Sequence, residues 1–313
     1  HKVIHNLLER VEKIAEKQSF LFKGLKMGNP DNEDTFYKGK LIKTDKNERH
    51  YIDSLKDKNT LLYAGTKYHL SQWYYRSKID YLFVDEAGQI SIADLIALGG
   101  VAKNIILVGD QLQLGQPTQG SHPGLSNNSV LDYLLQGKDT VEDNRGIFLS
   151  RTYRMHQNIN SFISENFYEN KLLTNPENKN RKIDFPKNFF LNNEGIHTIL
   201  MDHEDCTQTS EQEYKKIDEI IKKLIGKKFT DADNKERPLT IEDFLIVSPY
   251  NAQVNFLLAR LPEGTRCGTI DRFQGQEAPV TIISMTSSDL ESLPRDKSFF
   301  FNRNRLNVAI SRA

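Results

Sequence analysis

The chain has 313 residues, enough for two domains that each bury a core. Charged residues make up 27% and balance to a net charge of zero, so no global basic field announces a polyanion, although a groove can still be locally basic. Two cysteines, Cys206 and Cys267, exclude a disulfide framework and a four-cysteine zinc site, and no apolar run approaches the roughly 20 residues of a membrane span.

Residues 1–17 carry apolar side chains at helical spacing, among them Ile4, Leu7, Leu8 and Val11. Residues 24–59 are rich in Lys, Asp, Asn and Gly and read as an insertion or small subdomain. A short strand at 61–66 ends in Gly65-Thr66. Tyr81-Leu82-Phe83-Val84 then runs straight into Asp85-Glu86. Such a run predicts a strand buried on both faces, as in a parallel sheet, with the acids just past its end because buried charges need a partner or a metal. That edge of an open α/β sheet is where ligands bind. An acidic pair there suits a magnesium ion and an attacking water; an ordinary polar turn is the plainer alternative.

A helix at 90–98 is closed by Gly99-Gly100, and a second buried strand at 104–110 again ends in glycine and a carboxylate, Gly109-Asp110. Buried strand, polar strand end, then helix is the doubly wound α/β pattern. A helix lies within 127–138, and the polar run 139–144 is the expected domain boundary. Beyond it the spacing predicts a helix at 158–168, a polar stretch at 175–193 and a strand at 196–201. Next come a helix at 210–224 with Ser210 and Glu213 as its capping box, a strand at 244–249, a helix at 251–261 and a buried strand at 280–285. A last helix begins at 306. The second half supplies cations: Arg151 and Arg154 flank Tyr153, and Arg303, Arg305 and Arg312 gather near the end. Arginine forks suit phosphate oxygens. Most arginines are solvated surface charges, but Val308-Ala309-Ile310 gives Arg312 a packed setting.

Taken in order, Val84-Asp85-Glu86-Ala87, the run 109–114, Tyr153-Arg154-Met155-His156, the run 271–277 and the run 305–313 resemble motifs II to VI of superfamily 1 helicases. They most resemble the branch that contains the nonsense-mediated-decay helicase, whose members typically move 5′ to 3′. The resemblance covers nearly the whole chain apart from about 20–60 and 175–240. The opening run 1–8 is similar to the end of motif Ia. Together with 274–279 and 301–305 it resembles bacterial proteins that fuse a RecB-like nuclease to such a helicase.

The resemblance implies an α/β fold of two tandem RecA-like (P-loop NTPase) domains with parallel sheets. Residues 1–143 would form the first, incomplete and with a small insertion at about 20–60, and 144–313 the second, ending inside motif VI. It implies an ATP-dependent helicase or translocase on single-stranded nucleic acid, DNA before RNA, using Mg²⁺, while two cysteines read as free thiols and the lack of a membrane-length run place it in the reducing cytoplasm, away from membranes. By this likeness Asp85 binds the Mg²⁺, Glu86 polarises the attacking water, Gln113 senses the γ-phosphate, and Arg154 and Arg312 are arginine fingers. Asp110, Tyr153, Gly275, Glu277 and Arg305 fall among the nucleotide-binding positions, with Glu277 on the ribose, while His1 and Thr66 fall on the nucleic acid.

One departure matters. The phosphate-cradling Gly-x-x-x-x-Gly-Lys-Ser/Thr run occurs nowhere in the 313 residues. In the family that Walker A loop lies shortly before motif Ia, so it is expected ahead of His1, and the chain by itself is expected to bind ATP poorly. The intact carboxylate pair and arginines argue against a degenerate site. Two rival readings are a non-hydrolysing nucleic-acid scaffold and a helicase module serving a nuclease domain of the same full-length chain.

Overall fold

The computed structural model describes residues 1–115, 123–126, 128–187, 189–191, 194–273, 275–289, 293 and 301–313. It divides into two compact units, His1–Asp110 with Gln116–Leu134, and Gln111–Gly115 with Leu135–Ala313.

The first unit opens with α1 (Lys2–Lys17), whose inward stripe buries Leu8 and Ala15. Strands β1 (Lys23–Met27) and β2 (Ile42–Asp45), helix α2 (Glu48–Ser54) and strand β3 (Thr60–Ala64) follow. The three strands form a parallel sheet in the order β2-β1-β3. The segment read from sequence as an insertion therefore supplies a central strand. Its signal was hidden because the two most buried residues of β1 are Gly24 and Lys26, while Leu25 and Met27 on its other face are only half-buried. A Cβ on Gly24 would sit 2.8 Å from Ile42, so the strands approach closely only with glycine there.

After α3 (Lys67–Leu70), β4 (Ile79–Val84), α4 (Ile92–Leu98) and β5 (Ala102–Leu107) form a strand–helix–strand unit, followed by α5 (Val130–Leu135). The two strands pair in parallel with Phe83 opposite Ile106. The expectation of a strand buried on both faces fails here. Leu82 and Val84 pack against Leu98 and Val130, but Tyr81 and Phe83 are 59% and 61% exposed. Successive side chains of a strand point to opposite faces, so packing on one side leaves the alternate residues out. Ile106 of β5, also expected inside, is exposed in the same way.

The second unit contains β6 (Arg151–Thr152), α6 (Gln157–Phe167), β7 (Leu173–Thr174) and β8 (Lys182–Ile183). It continues with α7 (Glu211–Leu224), β9 (Lys228–Thr230), β10 (Glu236–Pro238), β11 (Phe244–Val247) and α8 (Asn251–Leu258). Last come β12 (Arg266–Gly268), β13 (Val280–Ile283) and α9 (Arg303–Ile310). Strand β11 is the middle of a parallel sheet, β12-β11-β13, and is buried on both faces. Phe244 and Ile246 meet Ile217 and Ile220 of α7 and Val254 of α8, while Leu245 and Val247 meet Phe273 and Val308 of α9. The two-sided burial expected of β4 is thus found at β11.

Two further expectations are corrected. Residues 196–201 form no strand, and Leu200 is almost wholly exposed; the described residues give this segment no ladder partner. The capping box of α7 is only half made. Ser210 Oγ accepts from the Glu213 amide at 3.2 Å, but the Glu213 carboxylate turns inward to the Ser284 hydroxyl and, at 2.8 Å, the Thr286 amide. The Ser210 amide is taken up by Gln253 Oε1 at 3.0 Å instead. A carboxylate buried by the sheet needs donors, and the residues after β13 supply two of them.

Candidate functional site

In the first unit the candidate carboxylates stand on the ends of β4 and β5. The Val108 amide donates to the Val84 carbonyl at 2.8 Å, and the Ala87 amide donates to the Val108 carbonyl at 2.9 Å. This lock holds the turn 85–87 against 108–110. It also requires glycine at 109, where a Cβ would lie 2.6 Å from the Ala87 nitrogen. Asp85 is exposed, and its Oδ1 accepts from the Glu86 amide at 3.0 Å. Glu86 is half-buried with φ +54°, in the left-handed region. A glutamate held there costs about 1–2 kcal/mol, and such strain is typical of functional positions. Gln89 Nε2 reaches Glu86 Oε2 at 3.5 Å. Asp110 follows Gly109 on the same edge.

An exposed carboxylate at a strand end suits Mg²⁺, which takes only one or two protein carboxylates and completes its shell with water and phosphate oxygens. Asp85 fits that requirement. Among the described residues no group of three or more His, Cys, Asp or Glu side chains could hold a metal ion alone.

The arginine cluster is built within the second unit from three segments of the chain. Arg154 Nε donates to Glu277 Oε2 at 2.6 Å, and its Nη1 donates to the Ser311 carbonyl at 3.4 Å. Arg312, buried at the end of α9, donates from Nη1 to the Gln276 carbonyl at 3.4 Å, and its own carbonyl accepts from the Ala278 amide at 3.0 Å. Arg154, Glu277 and Arg312 are therefore brought together, with exposed Tyr153 beside Arg154. Gly275 has φ +75°, a conformation that a residue with a side chain adopts only under strain. Gln274, part of the same motif, lies outside the described residues. Arg305 faces Asp271, Nη1 to Oδ2 at 3.3 Å.

Behind Arg154, His156 caps α6: its Nδ1 accepts from the Asn158 amide at 3.2 Å. Burial pushes its imidazole below the usual histidine range, with Glu194 opposing in part. A neutral ring is what an accepting cap requires.

Two residues that sequence reasoning passed over tie the run 111–115 into the second unit. Asn304 Nδ2 donates to the carbonyls of Gln111 and Gln113, both at 2.9 Å. Asn307, 1% exposed, donates to the Leu112 carbonyl at 2.9 Å and meets the Tyr168 hydroxyl at 3.0 Å. The available signal was their spacing of three on α9, which puts both on one helix face. Of the remaining expected residues, Thr66 stands after β3 as the N-cap of α3 and His1 stands before α1, each in the first unit but on other elements than Asp85.

A parallel α/β fold with an acidic pair at a strand end and clustered arginines defines a nucleoside-triphosphatase class of protein. A sequence model of the AAA domain matches residues 127–313, and the chain belongs to that family, in its superfamily 1 helicase branch. The chain is 30% identical over 255 residues to the DNA polymerase alpha-associated DNA helicase A of Schizosaccharomyces pombe, covering 75% of this chain and 36% of that protein. It is 30% identical over 249 residues to the DNA replication ATP-dependent helicase/nuclease DNA2 of Gallus gallus (76% and 22%). Against the Regulator of nonsense transcripts 1 homolog of Drosophila melanogaster it is 28% identical over 262 residues (76% and 20%). The chain thus spans little more than a third, or less, of these relatives. A solved complex of the arterivirus helicase nonstructural protein 10 with DNA superposes with a TM-score of 0.41 at 14% identity, covering 99% of this chain and 56% of that one. No described helix is long and apolar enough to cross a membrane.

Proposed function

We propose that this chain is the motor part of an ATP-dependent helicase or translocase on single-stranded nucleic acid, DNA before RNA, with residues 1–143 and 144–313 as its two RecA-like domains. The observation that carries the reading is the convergence of Arg154 with Glu277 and Arg312, which lie more than a hundred residues further along the chain, in a protein that also presents Asp85 and Glu86 at a strand end. These five groups have a common purpose at a triphosphate undergoing hydrolysis. Asp85 would hold Mg²⁺, which neutralises phosphate charge when bound. Glu86 would accept the proton of the attacking water, and Gln113 would report the state of the γ-phosphate. In this reading ATP draws the two domains together and hydrolysis releases them, moving the strand by a small step per cycle.

The Arg154–Glu277 pair is partly exposed, with 35% and 56% of the two side chains accessible. Such pairs are worth about 1 kcal/mol or less, so a triphosphate can draw Arg154 away from Glu277. The reading places the Walker A loop ahead of residue 1, and a nuclease domain in the same protein is compatible with it. Arg154→Ala should lower kcat for ATP hydrolysis by roughly 10³–10⁵ while sparing nucleotide affinity, in the protein that carries its phosphate loop. Steady-state hydrolysis with and without single-stranded DNA checks this. Turnover within a few-fold of wild type would remove Arg154 from the mechanism.

A further inference from the structure

We propose that Trp73 and Tyr68 form a stacking platform for the bases of a single-stranded nucleic acid, on the segment that links β3 to β4. The partner class rests on the proposed function; the platform and its residues go beyond it.

Trp73 is the one tryptophan of the chain, and it is 73% exposed; Tyr68, five residues earlier, is 72% exposed. Large aromatic rings standing this far out in a short segment are unusual, since these residues carry the largest apolar surfaces a protein can bury. Their neighbours do the opposite. His69, Tyr74 and Tyr75 are buried, and Tyr75 packs edge-on against His69 with ring centres 5.2 Å apart. The His69 ring meets the Tyr75 hydroxyl at 2.7 Å from Nε2. Tyr74 braces Trp73 at a ring separation of 5.8 Å. Gln72 ties back to the Tyr68 carbonyl at 3.1 Å. The exposed rings are thus mounted on a packed aromatic base, which lowers the entropy lost when a ligand stacks on them.

Charge selects the partner. Residues 65–78, between β3 and β4, contain Lys67, Arg76 and Lys78 and no aspartate or glutamate. Lys67 is engaged by Asp94 at 2.7 Å, while Arg76 and Lys78 are exposed. Cations on the same short segment as the exposed rings match a phosphate backbone with unpaired bases; in a duplex the base faces are already stacked on each other.

The test uses the tryptophan itself. Single-stranded oligonucleotides, DNA and RNA, are titrated into the protein while Trp73 emission and binding anisotropy are followed together. Quenching that tracks binding is expected, with affinity falling roughly 5- to 150-fold in Trp73→Ala and less in Tyr68→Ala, and largely restored in Trp73→Phe. Binding with unchanged emission and an unaffected Trp73→Ala variant would overturn the platform and leave the helicase reading standing. Absence of any single-strand binding would overturn both. Emission already blue-shifted and shielded from acrylamide before nucleic acid is added would show that another part of the protein covers the rings, and would also overturn the platform.

Discussion

His69 is 8% exposed, wedged edge-on against Tyr51 and Tyr75, and burial pushes its imidazole down to about 4. In the unfolded chain it titrates near 6.5, so between those values the unfolded state binds the extra proton. Stability is therefore full above about 6.5 and is lost as the pH falls toward 4, by about 3 kcal/mol for this residue alone. Denaturant unfolding at pH 7 and pH 4.5 should show that His69→Phe loses less stability between the two than wild type does; parallel losses would exclude His69 as the source. At this scale the places of the charged residues were the most legible: Asp85-Glu86 do follow β4, and Arg154 does precede α6. Carboxylates after an apolar run and arginines before a packed helix announce themselves by type. The left-handed backbone of Glu86 and the inward turn of the Glu213 carboxylate did not, because both depend on contacts from elsewhere in the chain.

Elements that pack through polar or small residues are the ones a sequence hides. The most buried residues of β1 are Gly24 and Lys26, and Lys26 is fully buried with its ammonium on the Thr35 carbonyl. Burial pushes its pKa down, the sign of a charge held away from water. Lys26→Met should raise the melting temperature of the first unit by a few degrees, because it removes a desolvated charge while keeping the volume. A clear drop in calorimetry would mean that the ammonium is better satisfied than its contacts indicate. Helix α9 gives the opposite case, since Asn307 holds the Leu112 carbonyl in a site closed to water. Asn307→Ala should destabilise the second unit by about 2 kcal/mol in denaturant unfolding, as expected for stranding a buried acceptor. A loss below about 0.5 kcal/mol would show that the run 111–115 is held by other contacts. Strands β4 and β5 were legible as elements but not in their exposure, because an apolar run says nothing of what covers its second face.

For the whole molecule, the α/β class and the parallel sheets could be read from the alternation of apolar runs with strand-end polar residues. The central β11 sheet followed the expected pattern most closely, since Phe244 to Val247 are all buried. Under the proposed function, Asp85-Glu86 and the arginine cluster of the second unit both serve the hydrolysis of ATP. The most direct test is Glu86→Gln in the protein carrying its phosphate loop, with ATP binding and hydrolysis measured on the same preparation in the presence of single-stranded DNA. The account predicts that ATP still binds while turnover falls by about 10²-fold or more, the range for losing a positioned general base. Hydrolysis near the wild-type rate would contradict it.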